Sequence, residues 1–187
     1  FRTSLAKLSA PALHYVYADT SGNTGHSAAG DIPIRHHGSG SFPLEGWQED
    51  NKWAGTIPFE QLHNKYNPED GIAVFANNNP QMEAYPYVVS EDWELPFRHQ
   101  RIRTLLEARV STGEKIAVSD IKQIQQDSYD EFAARLTPLL LKHTATKDIE
   151  KEALKALAEW DYVADKESRG AVVFQSWVRQ LKNNVLN

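Results

Sequence analysis

Three consecutive amides, Asn77-Asn78-Asn79, followed by Pro80 and Gln81, are the residues best suited to chemistry. They end a short apolar run, residues 71–77 (GIAVFAN). A side-chain amide is a neutral donor whose geometry holds while negative charge develops on a carbonyl oxygen, so it serves well in an oxyanion site. Asparagines ahead of a proline also build tight turns. On the pattern alone both readings stand.

Other reactive residue types form no complete set. The seven histidines are scattered, and no HExxH or similar ligand spacing occurs. His36 and His37 are adjacent, so on a strand they point to opposite faces and cannot chelate together. A metal site from these histidines is a minor alternative. Glu91-Asp92, Asp127 and Asp130 could do acid–base work, but no pair has diagnostic spacing. Asp130 is expected on the wet face of a long helix, and Asp127 near its apolar stripe as a buried, satisfied group. No serine sits in a GxSxG elbow, and Gly38-Ser39-Gly40-Ser41 lacks the lysine of a phosphate loop.

The elements that must position these residues change character near Phe97. Residues 14–18 (HYVYA) and 24–28 read as a hairpin across Asp19-Thr20-Ser21-Gly22-Asn23, with Gly22 favouring positive φ. Residues 30–68 form a long stretch rich in Gly and Pro, expected either to be functional or to wrap a neighbouring surface, and to be pinned by Trp47 and Trp53. Residues 71–77 read as a buried strand. From Arg98 the period becomes helical, through Ile102, Leu105, Leu106 and Val110. Four arginines, Arg98, Arg101, Arg103 and Arg109, lie on this helix and read as its surface. Val118, Ile121, Ile124, Ser128, Phe132, Leu136 and Leu140 predict one long amphipathic helix, kinked late by Pro138. A third helix is expected over 147–159, with Leu154, Leu157 and Ala158 inward. A fourth is expected over 168–181, capped by Ser168, with Val173, Phe174, Trp177, Val178 and Leu181 inward.

The 187 residues suffice for a sizeable core. A net charge of −5 with well-mixed signs argues against a nucleic-acid partner, and no apolar stretch approaches membrane-spanning length. With no cysteine, disulfides and thiolate metal sites are excluded. The chain opens on Phe1 without a signal-peptide pattern, so a processed chain or a piece of a longer one is expected.

Taken together and in order, these segments resemble the penicillin acylase family of N-terminal-nucleophile hydrolases. Tyr17-Ala18-Asp19-Thr20-Ser21-Gly22-Asn23 is similar to the family's YADxxGN hairpin, and Gly30-Asp31-Ile32-Pro33-Ile34-Arg35 to its GxxPxR segment. Trp53-Ala54-Gly55 with Ile57-Pro58-Phe59-Glu60 resembles its W-x-G-x-x-PFE run. Tyr66-Asn67-Pro68, Gly71 and Ala76-Asn77-Asn78 follow its path from NPxxG into paired asparagines. Tyr85-Pro86, the arginines from Arg98 to Arg103, Gln126-Asp127, Pro138-Leu139-Leu140 and Trp160-Asp161 continue the likeness over nearly the whole chain.

The resemblance implies an α+β chain that is part of a four-layer αββα fold. Strands and long loops occupy residues 1–97, and helices of the same large chain occupy residues 98–187. It implies an amide hydrolase, cleaving the N-acyl group of a penicillin, an acyl-homoserine lactone or a related compound. In the family the nucleophile is an N-terminal serine, placed upstream of Phe1, whose own α-amine is the base; an α-amine titrates near pH 8. By the motifs, Asn77 is the oxyanion asparagine, Arg98 the arginine that organises it, and Leu13 a residue of the acyl pocket. His14 stands where the family more often has an amide. No cofactor takes part in the family's chemistry; a structural calcium in the complete enzyme is expected, with Asp92 as a candidate ligand. Partners would be a small N-acyl substrate and other chains of the same processed precursor, in a periplasmic or secreted location. The alternative is a degenerate, non-catalytic relative that binds an acyl ligand or protein partner.

Overall fold

The computed structural model describes residues 1–80 and 84–185. Gln81, which closes the asparagine motif, lies outside them. The chain divides into two compact units, residues 1–111 and 112–187. The change from strands to helices comes at Phe97, whereas the units part after Ser111, so the first long helix belongs to the first unit.

In the first unit, β1 (Leu13–Ala18) and β2 (Thr24–Ala29) pair antiparallel, from Leu13↔Ala29 to Ala18↔Thr24. Asp19 shapes the turn between them. One carboxylate oxygen accepts from the Ser21 and Asn23 backbone N–H groups at 2.9 Å. The other accepts from Asn23 Nδ2 and the Tyr17 hydroxyl at 2.8 Å. Gly22 takes φ +86°, as its place in the turn demands. A third strand, β5 (Asn64–Tyr66), pairs with β2, which makes β2 the central strand. The close approach needs Gly25, where a Cβ would stand 2.5 Å from the Lys65 carbonyl oxygen.

Residues 30–68 are not structureless. They contain β3 (Pro33–Arg35) and β4 (Trp53–Thr56), which form a second sheet, as well as β5. Trp47 and Trp53 do not pin this stretch, being 79% and 63% exposed. Smaller apolar residues do so instead: Ile57 and Leu62 bury against Ala28, with Ile32, Ile34, Phe59 and Val89 around them. Arg2, on the short helix α1 (Arg2–Leu5), donates to Ser27 Oγ at 2.8 Å and to the Phe59 carbonyl at 2.9 Å.

Residues 71–77 do not form the expected strand. Ile72 and Ala76 are buried, as the apolar pattern requires, but no neighbouring strand offers a ladder among the described residues. The segment is held instead at its ends. The Ile72 N–H donates to Asp70, and a single parallel bridge joins Asn78 to Glu94. Helix α2 (Phe97–Val110) follows Pro96. Arg103 on it pairs with Asp70 and with Glu107, tying the helix to the turn that starts the segment. Ile102, Leu105 and Leu106 are half-buried, but Val110 is exposed.

The second unit is helical: α3 (Val118–Gln125), α4 (Glu131–Leu140), α5 (Asp148–Ala158) and α6 (Arg169–Val185). The single helix expected over 118–140 is two. Asp130 is not on a wet helix face: it caps α4, accepting from the Ala133 N–H at 2.8 Å. Its own N–H donates to the Tyr162 carbonyl. Asp127, in the break, is exposed rather than buried. Pro138 sits inside α4, which remains helical to Leu140. The core gathers Ala133, Leu157, Trp160, Phe174 and Val178. Ala158 and Leu181, expected inward, are exposed. Ser168 caps α6 as expected, its Oγ accepting from the Ala171 N–H at 3.2 Å. No helix among the described residues is long and apolar enough to cross a membrane.

Candidate active site

The three asparagines divide their work. Asn78 is structural: its Oδ1 accepts from the Ala76 N–H at 3.2 Å, and its amide donates to the Asn79 carbonyl. Asn77 adopts φ +61°, a left-handed conformation that asparagine tolerates better than most residues. Its carbonyl accepts from the Glu94 N–H at 3.0 Å, which fixes the backbone. Asn77 also lines a cavity.

Arg98, on the first turn of α2, donates from Nη2 to Asn77 Oδ1 at 3.0 Å. A guanidinium can only donate, so this contact decides which way the amide faces. The oxygen meets the arginine and Nδ2 is left on the other side. Nδ2 donates to none of the described residues. Backbone strain, a charged partner and an uncommitted N–H thus meet on one side chain.

The cavity is about 370 Å³, within the size range of small-molecule sites. Leu13, Ile32, Leu62, Phe75, Val89 and Trp93 supply most of its wall. Asn77, Asp92, His14, His63 and Tyr85 bring polar groups to it. Leu13, Asn77 and Asp92 therefore line one cavity, and Arg98 reaches it through Asn77. The Tyr85 hydroxyl is buried with no hydrogen-bond partner among the described residues, and burial pushes its pKa up. An apolar wall with a few convergent donors can hold an acyl chain and place its carbonyl against Nδ2.

Sequence reasoning did not bring three histidines together, and the structure does. His14, His26 and His63 place one nitrogen each within 4.8 Å of the others. The ring centroids of His26 and His63 are 4.7 Å apart, and His14 stacks on Phe75 at 3.5 Å. The signal lay in strand register, not in spacing: 14, 26 and 63 share a face only once β1, β2 and β5 are aligned. Asp92 has no such company. Its carboxylate joins no group of three ligating side chains among the described residues, whereas calcium takes six to eight oxygens. The carboxylates among the described residues do not by themselves make a ligand set for a calcium ion around Asp92.

Comparison with known proteins now decides the lineage. The penicillin amidase family model matches residues 1–187, the whole chain. The chain belongs to the penicillin amidase family. A penicillin acylase 2 proenzyme from Pseudomonas sp. (strain SE83) is 28% identical over 89% of this chain and 21% of the relative. An acyl-homoserine lactone acylase, QuiP, from Pseudomonas syringae pv. syringae (strain B728a) is 29% identical over 80% of the chain and 17% of that relative. The chain thus spans about a fifth of the length of these relatives. A thermostable penicillin G acylase from Alcaligenes faecalis matches with a TM-score of 0.69 at 22% identity, covering 98% of this chain and 34% of that one. The mixed α+β class and the N-terminal-nucleophile hydrolase fold follow from that likeness.

Proposed function

We propose that this chain is the oxyanion- and acyl-binding part of an acylase that hydrolyses the linear amide bond of an N-acyl small molecule. A penicillin and an acyl-homoserine lactone are the substrate types named among its relatives. The observation that carries the reading is the Arg98–Asn77 hydrogen bond beside an apolar cavity.

The reaction runs through a serine hydroxyl that begins the large chain and lies outside this one. It attacks the substrate carbonyl, with its own α-amine taking the proton. Negative charge then gathers on the carbonyl oxygen. Asn77 Nδ2 donates to it, joined by a backbone N–H from outside the chain. Because Arg98 already holds Oδ1, the donor need not reorganise as charge grows. Collapse of this oxyanion breaks the C–N bond as the α-ammonium gives its proton to the leaving amine. Water, deprotonated by the same α-amine, then releases the acyl group from the serine as a carboxylic acid. Leu13 and its apolar neighbours hold the acyl group. No cofactor takes part in this chemistry. Other chains of the same precursor complete the site, and the location is periplasmic or secreted. Asp92 would give a structural calcium one ligand, the rest coming from elsewhere; no step passes through it.

The test uses the native protein, isolated with every polypeptide that co-purifies. Incubated with penicillin G and with an N-acyl-homoserine lactone, it should release primary amine from at least one. A transient acyl mass should appear on a serine-led chain. Binding of these compounds with no amine release would contradict the reading and favour a degenerate, acyl-binding relative.

A further inference from the structure

The face that β1, β2 and β5 turn towards the cavity carries an arrangement that the amide chemistry does not use. Alternation along a strand puts residues two apart on one face, and directly paired residues share a face. His14 on β1 pairs with Ala28 on β2. The Ala28 N–H donates to the His63 carbonyl at 2.7 Å, which extends the β2–β5 register by one residue and sets His63 on the other flank of Ala28. His26 lies two residues before Ala28 on the same central strand. One small residue is therefore bordered by three imidazoles on one face.

The polar atoms of this cluster lack the partners expected of buried groups. Nδ1 of His14, of His26 and of His63 is in each case buried with no hydrogen-bond partner among the described residues. One nitrogen of each ring also lies within 4.8 Å of the others, and an unsatisfied buried nitrogen is costly, so the cluster suits a ligand. Burial, helped by repulsion within the cluster, holds His14 and His63 down to about 4, and burial also lowers His26.

We propose that His14, His26 and His63 bind one borderline first-row divalent cation, zinc or a close neighbour of it, on this face of the sheet. Imidazole suits that class of metal, and hard oxygen-seeking cations are not matched by it. In tetrahedral coordination at 2.0–2.1 Å, ligand nitrogens stand roughly 3.3 Å apart. The three nitrogens lie within 4.8 Å of one another, so rotamer adjustment of order 1 Å brings them to that spacing. The fourth position falls to water, as in three-histidine zinc sites. The ligands come from β1, from β2 and from the residue before β5, so the ion staples the three strands. Lys65, paired with His26 across the ladder, repels the cation and limits its affinity. His14 and His63 also line the proposed acyl cavity, but this assay reads metal and not turnover, so its failure and the failure of the acylase reading are distinguishable.

The experiment strips the native protein with a chelator and titrates it with Co²⁺, whose visible spectrum reports four-coordinate nitrogen ligation; X-ray absorption of the Zn²⁺ form counts imidazoles directly. One equivalent bound, with three imidazoles in the first shell and a raised Tm, is expected. His63→Ala and His26→Ala should each weaken binding by at least ~100-fold, beyond the 10- to 100-fold that loss of a merely supporting partner costs. Lys65→Met should tighten it. A His36→Ala/His37→Ala variant should bind as before. Sub-stoichiometric uptake, fewer than three imidazoles around zinc, or binding lost with His36 and His37 but kept without His63 would each overturn the site. The absorption measurement needs no variant, so a His63→Ala protein that fails to fold does not blunt the test.

Discussion

Replacing Arg98 by methionine keeps an unbranched apolar stem like that of arginine and removes its donors, so it asks what the guanidinium does for Asn77. Two magnitudes bracket the answer. If Arg98 only selects one of two amide orientations, losing it halves the competent population and costs a factor of about two. If it holds and polarises the amide, the loss is that of a hydrogen bond to a charged group, about 1.5–3 kcal/mol, or roughly 10- to 150-fold in rate. Both side chains are solvent-exposed in this chain, which places the effect near the lower end. Arg98→Met in the complete protein should therefore lower kcat about 10-fold with KM little changed. Stopped amine-release assays over a range of substrate concentration separate the two parameters. Arg98 acts through Asn77, so in an Asn77→Ala background the same change should cost almost nothing further. A kcat within twofold of the parent would refute the holding and polarising role, and a full second loss in the double variant would refute action through Asn77.

Two stability predictions rest on single contacts. Gly170→Ala puts a Cβ 2.4 Å from the Cβ and Cγ of buried Trp160, so α6 or the indole must shift; thermal melts should show a loss on the order of 1–3 kcal/mol, and an unchanged Tm would contradict the packing. Asp19 is held at about 2, chiefly by the Asn23 side-chain hydrogen bond. Its folded value lies below the ordinary carboxylate range, so its stabilisation is present above about pH 4 and is lost as pH falls through about 2. The stability gap between the parent and Asp19→Asn should accordingly close between pH 4 and pH 2 in denaturant titrations, and a carboxyl signal titrating near 3.8 would count against it.

What was legible in the sequence was local. The YADTSGN turn is closed by its own residues, because Asp19 reaches Ser21 and Asn23 without help from elsewhere, so composition alone located it. Ser168 announced α6 in the same way. Periodicity misled where two separate helices follow one another in the same phase. The stripe from Val118 to Leu140 keeps helical spacing across a break, yet Val118 and Ile121 of α3 are exposed and it is α4 that gives residues to the core; at the break the Asp130 N–H reaches the Tyr162 carbonyl, far along the chain. Residues 71–77 have a strand's composition but no strand partner, which composition cannot supply. Tryptophans read as anchors are exposed, while Ile57 and Leu62 do the anchoring. At the candidate site, motif order pointed to Asn77, Arg98 and Leu13. The contact that orients the amide, and the histidine face beside it, depend on tertiary register and could not be read from spacing.

The most direct measurement is the turnover number of Asn77→Ala in the complete protein, with circular dichroism confirming that the fold is kept. Removal of one oxyanion donor should lower kcat by about 10²–10³-fold, equivalent to roughly 2.7–4 kcal/mol, with substrate affinity largely retained. A folded Asn77→Ala protein that turns over within a few-fold of the parent would contradict the assignment of this amide to the oxyanion, and with it the account of what the chain does.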